Sequence, residues 1–478
     1  MKKFVVLLIA VALTCISTSA FAAHAEETDQ PGIVKSEPGV TAGVAMTFSG
    51  AIDLRERFYN LGTAGGPFSS TPTAPPARTT NTQERIRFNV DAKVGDYLNG
   101  RISIENDWDT FAHEERPQGT GTTAPSWNNG TANDGRLEVR EAWMNFMIPG
   151  VPVGVKAGHQ LLQLGNGWFF RSMKYGSDAW VVYNGTGNNT LAFYDVRVGE
   201  NVTPAGQPDQ DIDFYGVLDA YKLADGVISI DLTYASAPNS GGPFTAIFGA
   251  PSKKVGLYNL GISYAAKTGP VHLKIEGDYQ MGKVEDSLVG DGVAGDSKFK
   301  GYQVVLQGNI PMEALDINFG AAYGSGLKQL DGDTTKDVNQ MITVMDNDQH
   351  YTLIYEYLEP TGALNTVGVG TPNGSIHTGF ANTMALNLGA MFKISKAIAI
   401  GADYWYLQAV EDVAIMGNAE TSNKLGQEID FKLNWKLYDN LSWNWQVGWF
   451  MHGDAYKLAN GEDANDSTAV LGMLSFKF

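Results

Sequence analysis

The sequence predicts an all-β fold: a transmembrane antiparallel up-and-down β-barrel of about 18 strands, with short periplasmic turns and long outer loops. Three observations lead to this prediction. Segments of about ten residues that alternate apolar and polar side chains recur along most of the chain. Short turns alternate with long polar connections, and the final strand ends on an aromatic residue, Phe478.

The start of the chain has the features of a secretion signal. A basic start precedes an apolar run that is shorter than the roughly 20 residues a membrane helix needs. Small residues then offer cleavage after Ala22, with an alternative site after Ala25. We predict a signal peptide over residues 1–22, a short flexible segment over residues 23–42 and a single barrel over residues 43–478.

The composition narrows the functional classes. The only cysteine among the 478 residues is Cys15, inside the predicted signal peptide, so we expect the exported chain to have neither disulfides nor thiolate metal sites. A formal net charge of −18 argues against nucleic acid as a partner. Serine-hydrolase and zinc-protease motifs are absent, and the seven histidines show no metal-ligand spacing. We therefore expect no enzyme activity, cofactor or metal.

Three segments show the strand pattern most clearly. Residues 85–94, 271–280 and 428–437 each place apolar side chains at every second position, with mainly polar side chains between them. A soluble β-sandwich would show the same alternation, with its apolar faces packed against each other. So many consecutive long strands are difficult to pair into a sandwich core, which favours the barrel.

The connections between the predicted strands fall into two classes. Short turns are expected at residues 95–97, 148–150, 224–226, 268–270, 311–313, 395–396 and 439–440. Long polar stretches, many rich in Gly, Pro and Thr, occupy residues 60–80, 110–135, 199–210, 237–254, 284–297, 327–379 and 411–423. Bacterial barrels place such turns in the periplasm and such loops outside.

The strand count must be even, because both ends of a bacterial barrel lie on the periplasmic side. The turn pattern meets this requirement only if residues 174–183 form a strand. The stretch 327–379 is longer than an ordinary connection and contains a strand-like run at 351–357. We interpret this run as a hairpin or fold-in within an outer loop; as part of the wall, it would change the strand count by two.

Charged side chains dominate the polar face of the first four strands. The predicted pore-lining residues are Asp53, Arg55, Arg57, Arg85, Arg87, Lys93, Arg101, Glu105, Asp107, Arg136, Glu138 and Arg140. Arginine forks bind carboxylates and phosphates, so a row of them would offer weak sites to anionic solutes. The alternative is cross-strand salt bridging that neutralises the charges and stiffens the wall, and the two roles can coexist.

Other acidic residues need a separate interpretation. Glu56 and Glu141 fall on the nominal lipid-facing side, which a bulge or a position at the membrane edge would explain. Acidic clusters at residues 331–333 and 346–348 could hold calcium, but their spacing differs from that of a helix-loop-helix site. We interpret these clusters as a solvated acidic loop.

A glycine-rich segment follows the fifth predicted strand. Gly165 and Gly167 allow tight turns and close backbone approach. A loop that contains Gly165, Asn166, Gly167 and Arg171 is therefore our candidate for an inward fold that narrows the lumen. An ordinary outer loop is the alternative.

Several motifs resemble those of the alginate-export-like outer-membrane porins. They are Gly-His-Gln at residues 158–160, Gly-Asn-Gly at 165–167, Asp-Ala at 178–179 and the Arg-x-Arg pairs at 55/57 and 85/87. The resemblance implies an outer-membrane barrel of about 18 strands, in a family that includes polysaccharide exporters and general or substrate-selective porins. His159 stands where that family usually has arginine, and the acidic chain departs from an exporter of an anionic polymer.

Together these features predict an outer-membrane porin, exported through a cleaved signal peptide, that forms a water-filled channel for passive diffusion of small hydrophilic solutes or ions. The alternative is a dedicated channel for export or uptake of an anionic oligosaccharide or organic acid. Phe476 and Phe478 resemble the C-terminal signal that the barrel-assembly machinery reads. Outer-membrane lipid and lipopolysaccharide are the other expected partners, and we expect a monomer or homotrimer.

Overall fold

The computed structural model describes residues 44–61, 77–110, 137–199, 212–238, 254–287, 295–326, 337–345, 351–356, 379–414, 421–458 and 461–478. The predicted signal peptide and the segment 23–42 lie outside these residues. Most of the described backbone is extended, and none of its helices is long and apolar enough to cross a membrane.

Twenty strands and one short 3-10 helix are assigned within the described residues. The strands are β1 Val44–Leu61, β2 Ala77–Val94, β3 Leu98–Thr110, β4 Glu138–Met147, β5 Val153–Gln163, β6 Phe170–Thr186, β7 Asn189–Gly199, β8 Ile212–Lys222, β9 Gly226–Pro238, β10 Lys254–Thr268, β11 Val271–Ser287, β12 Gly295–Lys298, β13 Tyr302–Pro311, β14 Leu315–Gly324, β15 Val344–Met345, β16 Thr383–Lys393, β17 Ile398–Ala414, β18 Thr421–Tyr438, β19 Leu441–His452 and β20 Ser467–Lys477. The 3-10 helix is Asp454–Tyr456.

The described strands form a closed antiparallel wall of 18 strands, which confirms the predicted fold class. β12 and β13 both pair with β11, so together they form a single interrupted wall strand. β15 lies inside the wall and pairs in parallel with the start of β6. β1 pairs with β2 on one side and with β20 on the other, and this last pairing closes the barrel.

Short turns and long connections alternate around the wall, as the sequence predicts. The connections at one end, such as those between β2 and β3 or between β10 and β11, contain two to five residues. The predicted strand over residues 174–183 lies within β6. The chain therefore enters β1 and leaves β20 at the end that carries the short turns.

The alternation of side chains separates an outer apolar face from an inner polar face. In β2, Ile86 and Phe88 are exposed on the outside of the barrel, whereas Arg87 and Asn89 lie buried on the inside. An apolar outer face is stable only against lipid or other apolar groups, because exposure of apolar side chains to water is unfavourable in free energy. The alternation thus matches a wall that separates lipid from a polar interior.

Aromatic side chains form a band on the outer face, toward the long connections. Tyr234 and Tyr258 contact each other across β9 and β10 with ring centroids 4.6 Å apart, and Tyr302 and Tyr323 are 5.8 Å apart. Trp180 of β6 has 61% of its surface exposed on this face. Amphipathic rings of this kind favour the boundary between hydrocarbon and water.

The barrel closes at the last residue of the chain. The Gly50 N–H donates to the Phe478 carbonyl at 2.8 Å, and the Phe478 N–H donates back to the Gly50 carbonyl at 3.0 Å. A Cβ atom at Gly50 would lie 2.5 Å from the Phe478 ring, so this contact requires glycine. Phe476 lies on the outer face, and its ring centroid is 5.7 Å from that of Phe478.

Three segments of the described chain lie inside the barrel, and we call them the inner segments. The first inner segment is residues 164–169 between β5 and β6; the second, 337–345, and the third, 351–356, come from the stretch between β14 and β16. The third consists of bends and a turn instead of wall strands. This agrees with the predicted fold-in and leaves the strand count unchanged.

The inner segments pack into two apolar clusters. Phe169 belongs to a cluster that includes Met341 of the second inner segment and inward side chains of β6 to β11. Trp168 belongs to a cluster that includes Ile354 and Tyr355 of the third inner segment and side chains of β16 to β20. Because Trp168 and Phe169 are adjacent, the first inner segment joins the two clusters.

Candidate functional site

The inner face of β1 to β4 carries a dense group of ionic side chains, which we call the charged wall. Its members with described side chains are Asp53, Arg55, Arg57, Arg85, Arg87, Asp91, Arg101, Glu105, Arg140 and Glu141. Neighbouring strands bring these residues together because each pair is in register across the sheet. The charged wall therefore faces the interior as one continuous patch.

The half of the charged wall nearer the long connections contains closely paired, buried ions. Arg85 donates to Asp53 at 2.7 Å, and Asp53 also accepts a hydrogen bond from Ser475 of β20 at 2.6 Å. Arg87 donates to Glu105 at 2.9 Å, and both side chains are more than nine-tenths buried. Cross-strand salt bridging, the alternative to anion binding, is thus physically present at these positions.

The half of the charged wall nearer the short turns is more open. Arg101 forms a two-point contact with Asp91 at 2.7 and 3.1 Å, and about one third of each side chain is exposed. Arg101 also lies 3.5 Å from Glu141. Exposed ion pairs contribute little stability and exchange partners readily, so Arg101 is better placed than Arg87 to meet a passing anion.

A bulge turns Glu141 inward. The pairing of β3 with β4 changes register between Ser103 and Ile104, so that Arg140 and Glu141 both face the interior. Arg140 lies 3.7 Å from Glu105 and donates to the Met173 carbonyl at 2.6 Å. Strict alternation alone would put Glu141 on the lipid side; of the two explanations that the sequence offers, the bulge is the one observed.

The other predicted pore-lining residues have varied surroundings. Arg55 donates to the Gln83 amide at 2.7 Å, and Arg57 donates to the Asn81 amide at 3.1 Å. Lys93 pairs with Asp96 at 2.9 Å at the exposed turn between β2 and β3.

Four acidic or basic residues complete the survey of this region. Glu138 is exposed at the start of β4, and Glu56 is exposed on the outer face of β1. Asp107 lies in β3, but its side chain lies outside the described part of the chain, as does the whole of Arg136. The pore-lining role of Glu138, Asp107 and Arg136 stays a prediction.

The first inner segment crosses the interior and contacts the opposite wall. Its turn depends on Gly165 and Gly167, whose φ angles of +54° and +85° favour glycine. A Cβ atom at Gly165 would also lie 2.7 Å from a carboxylate oxygen of Glu276. The segment therefore turns inward and contacts β11, and its role in narrowing the lumen stays a prediction.

Glu276 of β11 holds this segment by its backbone. Its carboxylate accepts hydrogen bonds from the N–H groups of Asn166, of Trp168 at 2.9 Å and of Phe169 at 3.2 Å. The Gln303 side chain of β13 donates to the Trp168 carbonyl at 3.0 Å. Arg171, the remaining predicted constriction residue, donates to the Gln163 side chain at 2.6 Å at the base of the segment.

The second inner segment runs along the inside of β11 to β13. The Gln280 side chain donates to the Ile342 carbonyl at 2.6 Å and accepts from the Ile342 N–H at 3.0 Å. The Met341 N–H donates to the Ser325 carbonyl at 3.0 Å. These bonds satisfy backbone groups that would otherwise be buried without partners.

The third inner segment is held by Glu428 of β18. The Glu428 carboxylate accepts from the Ile354 N–H at 2.6 Å and from the Tyr355 N–H at 2.8 Å. Tyr351 stacks against Phe380 with ring centroids 4.4 Å apart. Burial, followed by the neighbouring Tyr355 and acidic side chains, raises the pKa of the Tyr351 hydroxyl well above its usual value, so this ring stays neutral.

A cavity of about 390 Å³ lies between the first inner segment and the end of the barrel that carries the short turns. Leu164, Phe170 and Tyr194 contribute to its mostly apolar lining. Lys156 adds a cation whose ammonium lies 4.2 Å from the centre of the Trp143 ring. Such a cavity can accommodate a small molecule with an apolar body and a negative end.

Sequence reasoning missed the residues that hold the inner segments. Glu276, Gln280 and Glu428 appear in the sequence as ordinary polar members of alternating strands. Within the described residues no cluster of three metal-binding side chains occurs. The acidic clusters at 331–333 and 346–348 lie outside the described residues.

Comparison with known proteins adds structural relatives only. No protein-family model matches the chain, and no curated protein matches its sequence. OccAB1 of Acinetobacter baumannii is similar with a TM-score of 0.51 and 10% identity over 94% of this chain and 99% of that one. OccK9 (OpdG) of Pseudomonas aeruginosa is similar with a TM-score of 0.50 and 12% identity over 90% and 98% of the two chains. A BenF-like porin from Pseudomonas fluorescens Pf-5 gives a TM-score of 0.47 at 12% identity, with coverage of 90% and 98%.

At these identities the similarity concerns the fold. The neighbours are outer-membrane porins of the Occ type with an 18-strand barrel, and the described chain shares that architecture. Such a barrel spans the outer membrane of Gram-negative bacteria.

Proposed function

We propose that this chain forms a water-filled outer-membrane channel for the passive diffusion of small hydrophilic solutes. The closed 18-strand wall carries the proposal, because barrels of 16 to 18 strands leave an aqueous lumen. The inner face supports it, since β1 to β4 present ionic and amide groups to the interior. The solute path in this proposal runs between the charged wall and the inner segments.

Single-channel recording tests the proposal. Purified protein added to a planar lipid bilayer should insert in uniform steps and conduct with a linear current–voltage relation. Vesicles that contain it should also swell in neutral sugars up to a sharp size limit. Absence of both conductance and swelling, in protein that migrates as a folded barrel on unheated gels, would contradict the open-channel proposal.

The charged wall and the first inner segment are proposed as the walls of the narrowest level. The open pair of Arg101 and Asp91 supports contact with passing ions, since both side chains keep about one third of their surface exposed. Trp168 and Phe169 support a narrowing, because they fill the interior opposite. Arg101→Gln should weaken anion passage more than Arg87→Gln, whose parent side chain is buried against Glu105.

A dedicated channel for a small organic acid is the second candidate. The cavity beside Lys156 favours it, because a mostly apolar lining that includes a lysine ammonium suits a carboxylate on an apolar body. Benzoate should interrupt the single-channel current in wild-type protein, and benzamide should not. If benzoate interrupts the current of Lys156→Met as often as that of wild type, its binding site does not include Lys156. Nothing in the described residues favours an oligosaccharide over this class.

The remaining assignments are proposals of the same kind. They are export through a signal peptide over residues 1–22 or 1–25, a flexible segment to residue 42, and assembly through the terminal Phe476 and Phe478. Contact with lipopolysaccharide, a monomeric or trimeric state, absence of enzyme activity and a place among alginate-export-like porins belong with them. The Arg-x-Arg pairs and residues 158–179 support the last of these.

A further inference from the structure

Two buried carboxylates of the wall bind backbone of the inner segments, and in this they differ from the charged wall. Glu276 is 2% exposed and accepts three N–H groups of the first inner segment. No lysine or arginine of the described residues lies within salt-bridge distance of it. Backbone N–H groups of the first inner segment are thus the donors that this buried carboxyl group accepts from.

Glu428 of β18 repeats the arrangement on the third inner segment. It is fully buried and accepts the N–H groups of Ile354 and Tyr355, which are successive residues of the third inner segment. Salt-bridge partners for Glu428 are likewise missing among the described residues. Two wall strands therefore use the same device on two separate pieces of chain.

The apolar contacts of the inner segments do not define their position in the same way. Trp168 and Phe169 pack into adjacent clusters, and the burial of apolar surface that holds them has no preferred direction. Successive N–H groups directed at one carboxylate fix both the height and the rotation of a segment, because each bond weakens steeply when its angle changes. Loss of the acceptor leaves these buried donors without partners.

We propose that Glu276 and Glu428 are positioning residues that set the width of the channel, each by holding one inner segment away from the solute path. The inference rests on the proposed channel function and adds the residues that determine its size selectivity. Release of either segment should let it move into the lumen, which lowers the mean conductance and adds current noise. The two anchors should act independently, because they bind different segments.

The test uses Glu276→Gln and Glu428→Gln, each of which keeps the shape of the side chain but turns part of the acceptor into a donor. Asp403→Asn is the matched control: Asp403 is also a buried wall carboxylate, and its ion-pair partner is Lys432 of the adjacent strand. Hydrogen exchange is measured on peptides that cover 164–169 and 351–356. Single-channel currents are recorded from the same preparations.

Glu276→Gln should accelerate exchange in the first inner segment by about tenfold or more and leave the third unchanged. Glu428→Gln should do the reverse, and Asp403→Asn should change neither. Current noise should rise in both glutamine variants and stay at the wild-type level in the control. Unchanged exchange and unchanged current in both variants would overturn the proposal.

The exchange experiment separates this inference from the channel proposal. A wild-type protein without conductance would contradict the proposed function, while the exchange pattern would still report whether the carboxylates hold the segments. Faster exchange at both segments in either single variant would also count against the proposal, because it would mean general loosening of the barrel. Folded protein is selected beforehand by its faster migration on unheated gels.

Discussion

The two sides of the interior are built differently. On the charged wall, side chains of adjacent strands hold one another, as Arg87 holds Glu105 across 18 residues of sequence. At the inner segments, wall side chains hold loop backbone, as Glu276 accepts a hydrogen bond from the backbone N–H of Trp168, 108 residues away in sequence. The first arrangement stiffens a surface, and the second fixes how much of the lumen is filled. In the proposed function, the charged wall selects solutes by charge and the held inner segments set the size of the lumen.

The largest effect on stability and conductance is expected at Trp168 of the first inner segment. Trp168→Ala removes a side chain that is 1% exposed and whose ring centroid lies 4.7 Å from that of Phe380. The cavity should destabilise the barrel by about 3–5 kcal/mol and raise the conductance, because the lumen gains space. Gel-shift melting and single-channel recording measure the two effects.

Trp180→Ala is the matched control for that variant. Trp180 lies on the outer face with 61% of its surface exposed, so the same deletion there removes no filling of the lumen. Its conductance should equal that of wild type. Equal conductance changes in the two variants would show that Trp168 acts through overall stability alone.

The next effect tests the buried ion pairs of the charged wall. Glu105→Gln leaves Arg87 and Arg140 buried without their shared carboxylate, and a broken buried pair costs about 3–5 kcal/mol. We expect the folded band on gels to be lost at a lower temperature. Asp91→Asn, in the half-open pair with Arg101, should cost less than about 1 kcal/mol. Equal losses of stability in the two variants would mean that burial does not determine how much an ion pair of the charged wall contributes.

A smaller effect concerns ion selectivity. Replacement of Arg55, Arg57, Arg85 and Arg87 by Gln removes four positive charges from the charged wall and should shift the reversal potential in a salt gradient toward cations. Lys396→Gln, at an exposed turn between β16 and β17, is the control for charge outside the lumen. An unchanged reversal potential in the fourfold variant would leave these arginines with a structural role only.

The smallest effect is expected at the exposed turn between β2 and β3. The hydrogen bond and the charge of Lys93 lower the pKa of Asp96 below its usual value. Because both side chains are exposed, solvent screens the pair and Asp96→Asn should leave the melting temperature of the barrel unchanged. A clear loss of stability would mean that this turn contributes to the wall more than its exposure suggests.

The comparison also explains which parts could be predicted from sequence. Strands, turns and the even count follow from a period of two residues, which is local and visible in segments such as 85–94. The inward face of the arginines follows from the same period. The inward turn of Glu141 does not, because one bulge reverses the alternation after it.

The anchors of the inner segments lay beyond sequence reasoning for a different reason. Glu276 and Glu428 occupy regular inward positions, and nothing in the alternation distinguishes them from Asp278 or Asp430 two residues later. Their partners lie 73 to 110 residues away, in loops without a repeating pattern. The glycines at 165 and 167 are the one local signal, and they indicate a tight turn but not the wall strand that the turn contacts.

The most direct test of the account is cysteine accessibility from the lumen. The one cysteine of the sequence lies in the predicted signal peptide, so an introduced cysteine should be the only thiol of the exported chain. Asn81→Cys places it on the charged wall beside Arg57, and Ala409→Cys places it among the buried residues of the apolar cluster that contains Trp168. A charged thiol reagent should reduce the current through Asn81→Cys in discrete steps and leave Ala409→Cys unaffected. Block of Ala409→Cys with no effect on Asn81→Cys would contradict a solute path along the charged wall.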